Sequence, residues 1–239
     1  MQRDGFVVAR GFVEPAEVAQ LLEWTAELEN GAEVPGRHWV YHENSLTASN
    51  RRLIQRIENF CPHHSGFDRF VRAGLLAAWT ASLMGGAVVL FKDKINCKMP
   101  GGNGFAAHQD QQAGWDTYAS IFVTAMVTLD PTTLENGCLE IAPRGRGGTR
   151  LIGEPWKPLE SSELNLQPVP TEPGDVIFFD SFVPHASKPN LTDAPRRVLY
   201  LTYNLARDGD QRQRYFADKH AAFPPDIDRD PGKTYVFRV

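Results

Sequence analysis

The sequence lacks the features of several large protein classes. It contains no apolar run approaching the roughly 18 residues that a membrane-spanning helix requires. Its net charge is −4, so its composition gives no electrostatic basis for binding nucleic acid or an anionic membrane. Only three cysteines are present, Cys61, Cys97 and Cys138, and no two of them form a C-x-x-C pair. This excludes a disulfide framework and a structural zinc site, so any metal must be held by histidine and carboxylate side chains.

The remaining composition is that of a globular protein with a sizeable core. The chain has 239 residues, of which 42% are hydrophobic and 23% charged, and all-β proteins of this length commonly form one domain. The opening segment MQRDGFVVARGFVEP lacks the apolar core and cleavage site of a signal peptide. We therefore expect a single domain over 1–239 in a cytoplasmic protein. We also expect a monomer or homodimer that binds a small molecule rather than nucleic acid or membrane.

Residues 1–86 are predicted to form a largely helical support. Pro15 opens the segment PAEVAQLLEWTAELEN, and Asn30-Gly31 ends it. The residues that share one face of this helix are Val18, Leu21, Leu22, Thr25 and Leu28. A second helix is predicted from about Phe67 to Gly85, where two consecutive glycines stop it.

Beyond residue 86 the pattern changes to short β-branched and apolar segments separated by Gly, Pro and Asn. These segments are AVVLFKDKINCKM, YASIFVTAMVTLD, NGCLEIAP, GDVIFFDSFVPHAS and RRVLYLTYNLA. Strands without intervening helices indicate a double-stranded β-helix, the cupin-like jelly roll, over 87–207. The predicted fold class is thus mainly β with flanking helices, which cover one sheet. The tail, 208–239, is expected to pack on this core.

The segment LFKDKINCKM alternates with a period of two, which sends neighbouring side chains to opposite faces of a strand. One face carries Lys92, Lys94, Asn96 and Lys98, and the other carries Phe91, Ile95, Cys97 and Met99. Two interpretations of the polar face remain open, namely exposure to solvent or the lining of a polar cavity inside the barrel. In the second case the apolar face packs under the helices, and the polar face suits an anionic ligand.

A histidine and an aspartate lie two residues apart in FAAHQDQQAGW, at His108 and Asp110. The spacing alone carries little information, because chance supplies such a pair in nearly every second chain of this composition. On a strand, however, both side chains point the same way and can bind one ion. His185, at the end of GDVIFFDSFVPHAS, would complete a set of two histidines and one carboxylate. This is the ligand set of non-haem Fe(II) oxygenases, and it leaves coordination positions open.

An open Fe(II) site needs a reductant, and a 2-oxo acid fills this role as a chelating co-substrate. Its far carboxylate requires a cation, ideally a planar and bidentate one. Arg196 and Arg197 follow His185 in APRRVLYLTYN. Because neighbours on a strand alternate, only one of the two can face the metal. The residues alone also allow both arginines to be surface residues at the start of a strand.

Several segments, in order and at the right separations, resemble the phytanoyl-CoA dioxygenase family of Fe(II)/2-oxoglutarate oxygenases. They are DGFVVARGFVEPAEVAQL, HQD, ENGCLEIAP and PGDVIFFDSFVPHASKPNLTDAPRRVLYLTYN, so the resemblance spans nearly the whole chain. It implies that His108, Asp110 and His185 are the catalytic iron ligands. It also implies Fe(II) as cofactor, 2-oxoglutarate as co-substrate and O₂ as oxidant.

The resemblance further implies a binding set for 2-oxoglutarate. In the family, an arginine eleven residues beyond the second metal-binding histidine binds the distal carboxylate, and here this is Arg196. Ser187 corresponds to the hydroxyl partner of that carboxylate, and Asn96 to a position whose side chain touches 2-oxoglutarate. The usual PGSH is replaced by PRGRGG at 143–148. This departure concerns a loop near the entrance and leaves the substrate unassigned.

The implied reaction is hydroxylation of an unactivated C–H bond in a small polar metabolite, with release of succinate and CO₂. The segment LFKDKINCKMPGGNGFAAHQDQQAGW resembles bacterial members that act on aminoalkylphosphonates or on amino-acid-derived natural products. Lys92 and Lys94 are expected to meet an anionic group of the substrate, and Trp115 and Tyr203 to form further contacts. Desaturation, cyclisation and demethylation by the same chemistry remain open. So do a cupin-like metal isomerase and a binding module with a structural ion.

Overall fold

The computed structural model describes residues 1, 3–144 and 148–236 of the chain. Residues 145–147, which belong to the unusual PRGRGG segment, lie outside the described residues. The helices are α1 (Pro15–Asn30), α2 (Ser65–Arg72), α3 (Leu75–Met84) and α4 (Arg212–Ala222). The strands are β1 (Phe6–Ala9), β2 (Trp39–Asn44), β3 (Arg52–Glu58), β4 (Val88–Lys98), β5 (Phe105–His108), β6 (Phe122–Thr128), β7 (Leu139–Ile141), β8 (Gln167–Val169), β9 (Val176–Asp180), β10 (His185–Ser187) and β11 (Arg196–Leu205).

These strands form two antiparallel sheets that pack face to face. The larger sheet has the order β1-β9-β6-β11-β4-β3-β2, and the smaller has the order β5-β10-β7-β8. Apolar residues of both sheets meet between them, including Met126 and Phe179 from the larger sheet and Ile141 from the smaller. Strands distant in sequence are neighbours, since β11 lies between β4 and β6. The jelly-roll prediction is confirmed.

The helices α1, α2 and α3 cover the outer face of the larger sheet. Leu21 of α1 and Phe67 of α2 are fully buried in one cluster with Ile57 of β3 and Ile95 of β4. Complete burial of such a side chain stabilises the fold by about 1.5–3 kcal/mol. The bounds of α1 and the coverage of one sheet by helices agree with the prediction. None of the helices within the described residues has the length and apolar character needed to cross a membrane.

Two predictions about residues 1–86 are wrong in part. This region is not simply a helical support, because β2 and β3 extend the larger sheet next to β4. Their polar residues obscured the strand pattern, since Arg56 and Glu58 face a polar cavity. The single helix predicted over 67–85 is two helices, because Gly74 has a φ of 109°. A left-handed residue of this kind ends one helix before the next begins.

Strand β4 follows the predicted alternation except at Phe91. Lys92 pairs with Thr202 of β11, whereas Leu90 pairs with Tyr203, so Phe91 is the extra residue of a β-bulge. Leu90 packs on the helix side, and Phe91 packs on the opposite side among the aromatic residues around Trp115. The prediction that Phe91 packs under the helices is therefore wrong, whereas Ile95, Cys97 and Met99 do pack there.

Helix α4 packs against one end of the sandwich. Tyr215 and Phe216 of α4 join Trp39 of β2 and Phe91 of β4 in a second apolar cluster. Beyond α4, Asp226 bonds to the backbone and side chain of His42 in β2. The part of the tail up to residue 236 thus lies against the strands that carry the polar cavity.

Candidate metal centre and active-site cavity

His108, Asp110 and His185 converge at the end of the smaller sheet. His108 ends β5 and His185 begins β10, and the two residues are direct partners in this antiparallel pair. Asp110 follows β5 in a short 3₁₀ helix, Asp110–Ala113. One ligand atom from each of the three residues lies within 4.8 Å of the other two. The structure thus brings together the three side chains that the sequence predicted as iron ligands.

Hydrogen bonds to the backbone orient both histidine rings. The Nδ1 of His108 lies 2.7 Å from the carbonyl oxygen of Ala106, and the Nδ1 of His185 lies 3.0 Å from that of Val183. Since a carbonyl can only accept, each Nδ1 carries the hydrogen, and each Nε2 keeps its lone pair. These Nε2 atoms lie 3.8 Å and 4.0 Å from Oδ1 of Asp110. All three donor atoms therefore face one point.

The charge states of the three residues favour a cation between them. Burial, followed by the neighbouring His185, lowers the pKa of His108 to about 3, and burial also lowers the pKa of His185. Burial alone would raise the pKa of Asp110, but the two histidines and Lys94 outweigh it and hold this pKa below its usual value. Two neutral imidazoles and one carboxylate are the forms that bind a divalent metal.

Arg196 is a buried cation without a hydrogen-bond partner in the described part of the chain. Its side chain is 0% exposed, and none of its three guanidinium nitrogens has a partner among the described residues. Burial lowers its pKa. On β11 it shares a face with Val198 and Tyr200, which point between the sheets. An unsatisfied buried charge is costly, and a bidentate carboxylate would satisfy it.

Ser187 on β10 of the smaller sheet and Asn96 on β4 of the larger sheet offer further polar atoms. Lys98 donates from Nζ to Oγ of Ser187 at 2.8 Å and to the carbonyl of Lys188. Because Lys98 donates in this contact, the Ser187 oxygen accepts and its own hydrogen stays available for a ligand. The Oδ1 of Asn96 is buried and has no partner among the described residues. Burial, followed by the charge of Arg196, lowers the pKa of Lys98 to about 6.

These features fit Fe(II) and 2-oxoglutarate. The donor set of two imidazoles and one carboxylate, without thiolate, suits non-haem Fe(II) and leaves positions open for other ligands. The unpartnered guanidinium of Arg196 suits the distal carboxylate of a 2-oxo acid. A closed structural metal site or a metal isomerase would not need this orphaned cation.

A cavity of about 970 Å³ opens beside the three predicted ligands. Its charged inner wall comes from neighbouring positions on β3 and β4 and from α4. These residues are Arg56, Glu58, Lys92, Lys94 and Lys219. The polar face of β4 therefore lines a cavity rather than solvent, which was one of the two open interpretations.

Glu58 is shared by several cations of this wall. It accepts from Nε of Arg56 at 2.9 Å and from Lys219, and it lies 4.0 Å from Nζ of Lys92. Lys94 has no hydrogen bond or ion pair within the described residues, and its Nζ lies 4.5 Å from the centre of the Tyr200 ring. Burial, followed by the charge of Lys92, lowers the pKa of Lys94 to about 7. Four basic side chains thus share this wall with Glu58.

The aromatic candidates have different positions. Trp115 lines the cavity, and Nζ of Lys92 lies 5.6 Å from the centre of its ring. Tyr203 lies outside the cavity, so its prediction as a substrate contact is wrong. Its hydroxyl donates to the carbonyl of Val71 at 2.8 Å within the helix-side core. Strand alternation from Arg196 places odd-numbered residues of β11 on that side, and Tyr200 is the tyrosine that lines the cavity.

Other cavity residues were not found from the sequence. Glu58 and Lys219 are far from the ligands along the chain, and only the pairing of β3 with β4 and the packing of α4 bring them here. Trp156 lies in a segment without a regular pattern, yet it also lines the cavity. The charged residues inside RLIQRIE, the segment that forms β3, are the one signal that could have pointed to Glu58.

Comparisons with known proteins agree with this geometry. The family profile described as phytanoyl-CoA dioxygenase (PhyH) matches residues 1–198. A 2-aminoethylphosphonate dioxygenase from an uncultured bacterium is 39% identical over 236 residues, which cover 97% of this chain and 89% of that protein. A methylphosphonate hydroxylase from Gimesia maris is 36% identical over 222 residues, which cover 92% of this chain and 84% of that protein.

Among solved structures, EctD from S. alaskensis with 2-oxoglutarate and 5-hydroxyectoine has the same fold. The TM-score is 0.71 at 24% identity, over 86% of this chain and 74% of that one. That structure was solved with 2-oxoglutarate, and the three predicted ligands and the buried Arg196 of this chain fit iron and such a co-substrate. The chain belongs to the phytanoyl-CoA dioxygenase family and is a 2-oxoglutarate-dependent dioxygenase.

Proposed function

We propose that the protein hydroxylates a small phosphonate, with 2-aminoethylphosphonate as the leading candidate. The observation that carries this proposal is the grouping of four basic side chains, with Glu58 as the carboxylate among them, on one wall of the cavity beside the metal centre. Lys94 has no hydrogen bond or ion pair within the described residues, and Glu58 is already shared by Arg56 and Lys219. A doubly charged anionic group would pair with these basic side chains. The names of the two relatives, which act on aminoethyl- and methylphosphonate, support the same class.

The proposed role of the ligand residues is to hold iron and the co-substrate. His108, Asp110 and His185 would hold Fe(II), and Arg196, Ser187 and Asn96 would bind 2-oxoglutarate. When bound, the metal and co-substrate supply the chemistry that converts a C–H bond to an alcohol, with release of succinate and CO₂. Arg196 fixes the orientation of 2-oxoglutarate through its distal carboxylate, with Ser187 donating its hydroxyl hydrogen.

The proposed role of the cationic wall is to orient the substrate. Lys94 lies beside Asp110, and both line a small polar recess together with Lys92. An anionic group bound by the two lysines would therefore lie close to the metal centre, and the carbon next to that group would face it. Trp115 would exclude water from this end of the cavity, where electrostatic contacts are stronger.

Substrate-dependent succinate release tests this proposal. The Fe(II)-loaded protein is incubated with 2-oxoglutarate and O₂, with 2-aminoethylphosphonate, its sulfonate and carboxylate counterparts (taurine and 3-aminopropanoate), and ethanolamine. We expect the phosphonate to stimulate succinate release most strongly and ethanolamine not at all. Equal stimulation by ethanolamine, which lacks the anionic group, or no stimulation by any phosphonate, would contradict the proposal.

A pair of lysine substitutions locates the anionic group. Lys94→Met is expected to raise the KM for the phosphonate at least tenfold and to leave the affinity for 2-oxoglutarate near that of the wild type. Lys188→Met is the control, because Lys188 is exposed, pairs with Glu140 and lies outside the cavity. An unchanged phosphonate KM in Lys94→Met would remove Lys94 from the substrate site.

A further inference from the structure

Two buried glutamines attach the segment 150–157 to the metal-binding turn. Gln109, between the two predicted ligands, donates to the carbonyl of Arg150 and accepts from the backbone N–H of Ile152, each at 2.9 Å. Gln112 donates to the carbonyls of Glu154 and Lys157 at 2.7 and 2.8 Å. Both glutamines are at most 1% exposed. Because buried amides are costly when unpaired, these bonds fix the path of the segment.

Trp156, within this segment, has an unfavourable backbone conformation. Its φ is 65°, in the left-handed region that bulky residues rarely adopt. Its backbone N–H donates to the carbonyl of Gln112 at 3.1 Å. Its ring lies directly over Gly114, where an added Cβ would be only 2.7 Å from the ring. Gly114 thus provides the space that the indole occupies.

The same ring forms part of the cavity wall. Trp156 lines the cavity together with Trp115 and Tyr118, and the residue is 41% exposed. A large aromatic residue held in a strained conformation at the edge of a binding cavity points to a function for which that conformation is required. The hydrogen bonds from Gln112 supply the constraint that maintains it.

We propose that Trp156 is a specificity-determining residue whose ring limits the length of the substrate, and that Gln112 is its positioning residue. With the anionic group held by Lys92 and Lys94, the other end of the substrate meets the indole. Substrates with a short chain fit between the two lysines and the ring of Trp156, whereas longer chains clash with the ring. This inference rests on the proposed phosphonate substrate for its choice of probes.

A series of ω-aminoalkylphosphonates with two, three and four methylene groups tests whether Trp156 limits the length of the substrate. We expect the kcat/KM of the wild type to fall with chain length. Trp156→Ala should lower kcat/KM for the two-carbon compound and raise the four-carbon to two-carbon ratio at least tenfold, whereas Trp156→Phe should stay close to the wild type. Trp156→Gly should show the same altered ratio without a lower melting temperature, because glycine adopts this φ freely.

A double-mutant cycle tests the positioning role. Gln112→Ala should shift the chain-length ratio in the same direction as Trp156→Ala, and the double variant should add little to Trp156→Ala alone. If Gln112 has only a structural role, Gln112→Ala should lower kcat/KM equally for all chain lengths. Its effect should then add fully to that of Trp156→Ala in the double variant. Gln111→Ala is the matched control, because the Gln111 side chain bonds to Ala119 rather than to segment 150–157.

Two failures are distinguishable. If the wild type turns over no phosphonate, the proposed substrate class is wrong, and so is the inference that Trp156 limits the length of such a substrate. If the wild type turns over the two-carbon compound but Trp156→Ala keeps the wild-type dependence of kcat/KM on chain length, only the role of Trp156 is wrong.

Discussion

Arg196 and Arg197 are neighbours on β11 with opposite surroundings. Arg196 is fully buried between the sheets and has no partner among the described residues. Arg197 points to the other face, where its Nε donates to Asp130 at 2.7 Å and its Nη1 lies 3.6 Å from Glu29. Strand alternation separates the two side chains. One arginine is therefore available for a ligand, while the other joins structural elements.

Substituting each arginine with methionine should separate these two roles. Arg196→Met is expected to raise the KM for 2-oxoglutarate about 10- to 100-fold, since charge-assisted hydrogen bonds contribute about 1.5–3 kcal/mol. Its free energy of unfolding without 2-oxoglutarate should stay unchanged or rise, because an uncompensated buried charge is removed. Arg197→Met should leave this KM unchanged and lower the free energy of unfolding by about 1–3 kcal/mol. Steady-state kinetics and denaturant unfolding measure both, and the opposite pattern would assign the co-substrate to Arg197.

Asp110→Ala should remove the only carboxylate of the predicted metal centre. We expect it to abolish 2-oxoglutarate turnover and the visible band that forms when Fe(II) and 2-oxoglutarate are added without oxygen. Removal of metal from the wild type with a chelator should have the same effect and be reversed by Fe(II). Asp116→Ala is the control, because Asp116 is an exposed carboxylate six residues further along the chain. Substantial residual turnover in Asp110→Ala would refute its role as a ligand.

The sequence predicted the features that follow from strand periodicity and failed where periodicity is interrupted. Alternation predicted that His108 and Asp110 share one face, and the two side chains do converge, although the strand ends at His108 and Asp110 lies in the 3₁₀ helix that follows. The bulge at Phe91 adds one residue to β4 and reverses the face of that side chain, and nothing local in the sequence marks it. Tyr203 could have been placed correctly, because it differs from Arg196 by an odd number of positions on the same strand.

The other features that the sequence did not predict depend on contacts between segments that are distant along the chain. Glu58 meets Lys219 across 161 residues, and no local pattern predicts such a pair. The QQAGW part of the metal-binding segment gave no reason for its two glutamines or its glycine. In the structure, Gln112 holds segment 150–157 and Gly114 accommodates the ring of Trp156. These roles depend on a segment that lies about 40 residues further on, without periodicity of its own.

Gly114→Ala should destabilise the protein through two separable effects. The first is the left-handed φ of 71°, and the second is the contact of the new Cβ with the ring of Trp156 at 2.7 Å. We expect a loss of about 2–4 kcal/mol in the free energy of unfolding by denaturant. Gly148→Ala is the matched control, because Gly148 has a φ of 69° and an added Cβ there meets none of the described residues within 4 Å.

The control should show only the backbone effect, about 1–2 kcal/mol. Trp156→Ala in the Gly114→Ala background should remove the clash with the ring. It should therefore restore the free energy of unfolding by the difference between the two glycine variants. If both glycine substitutions cost the same, the indole does not lie on Gly114 in solution.

Asp226 should link the docking of the tail to pH. Burial alone would raise the pKa of Asp226, but hydrogen bonds from His42 and Arg52, together with the charge of Arg229, lower it to about 2. A carboxyl group with a lowered pKa in the folded state stabilises the protein above its unfolded pKa of about 4, and this contribution is lost as the pH falls through about 2.

Asp226→Asn should therefore lower the free energy of unfolding at pH 6 by about 1–2 kcal/mol, after allowance for partial solvent screening. The deficit should shrink toward zero between pH 4 and about 2, where the wild-type carboxyl group is also protonated. Asp230→Asn, in the same segment, is the control, because the Asp230 side chain is 52% exposed and its contacts are local, with exposed Lys233 and the backbone N–H of Gly232. Thermal and denaturant unfolding of the three proteins across this pH range measure the effect. A deficit in Asp226→Asn that does not change with pH would mean that the charge of Asp226 does not hold the tail against β2.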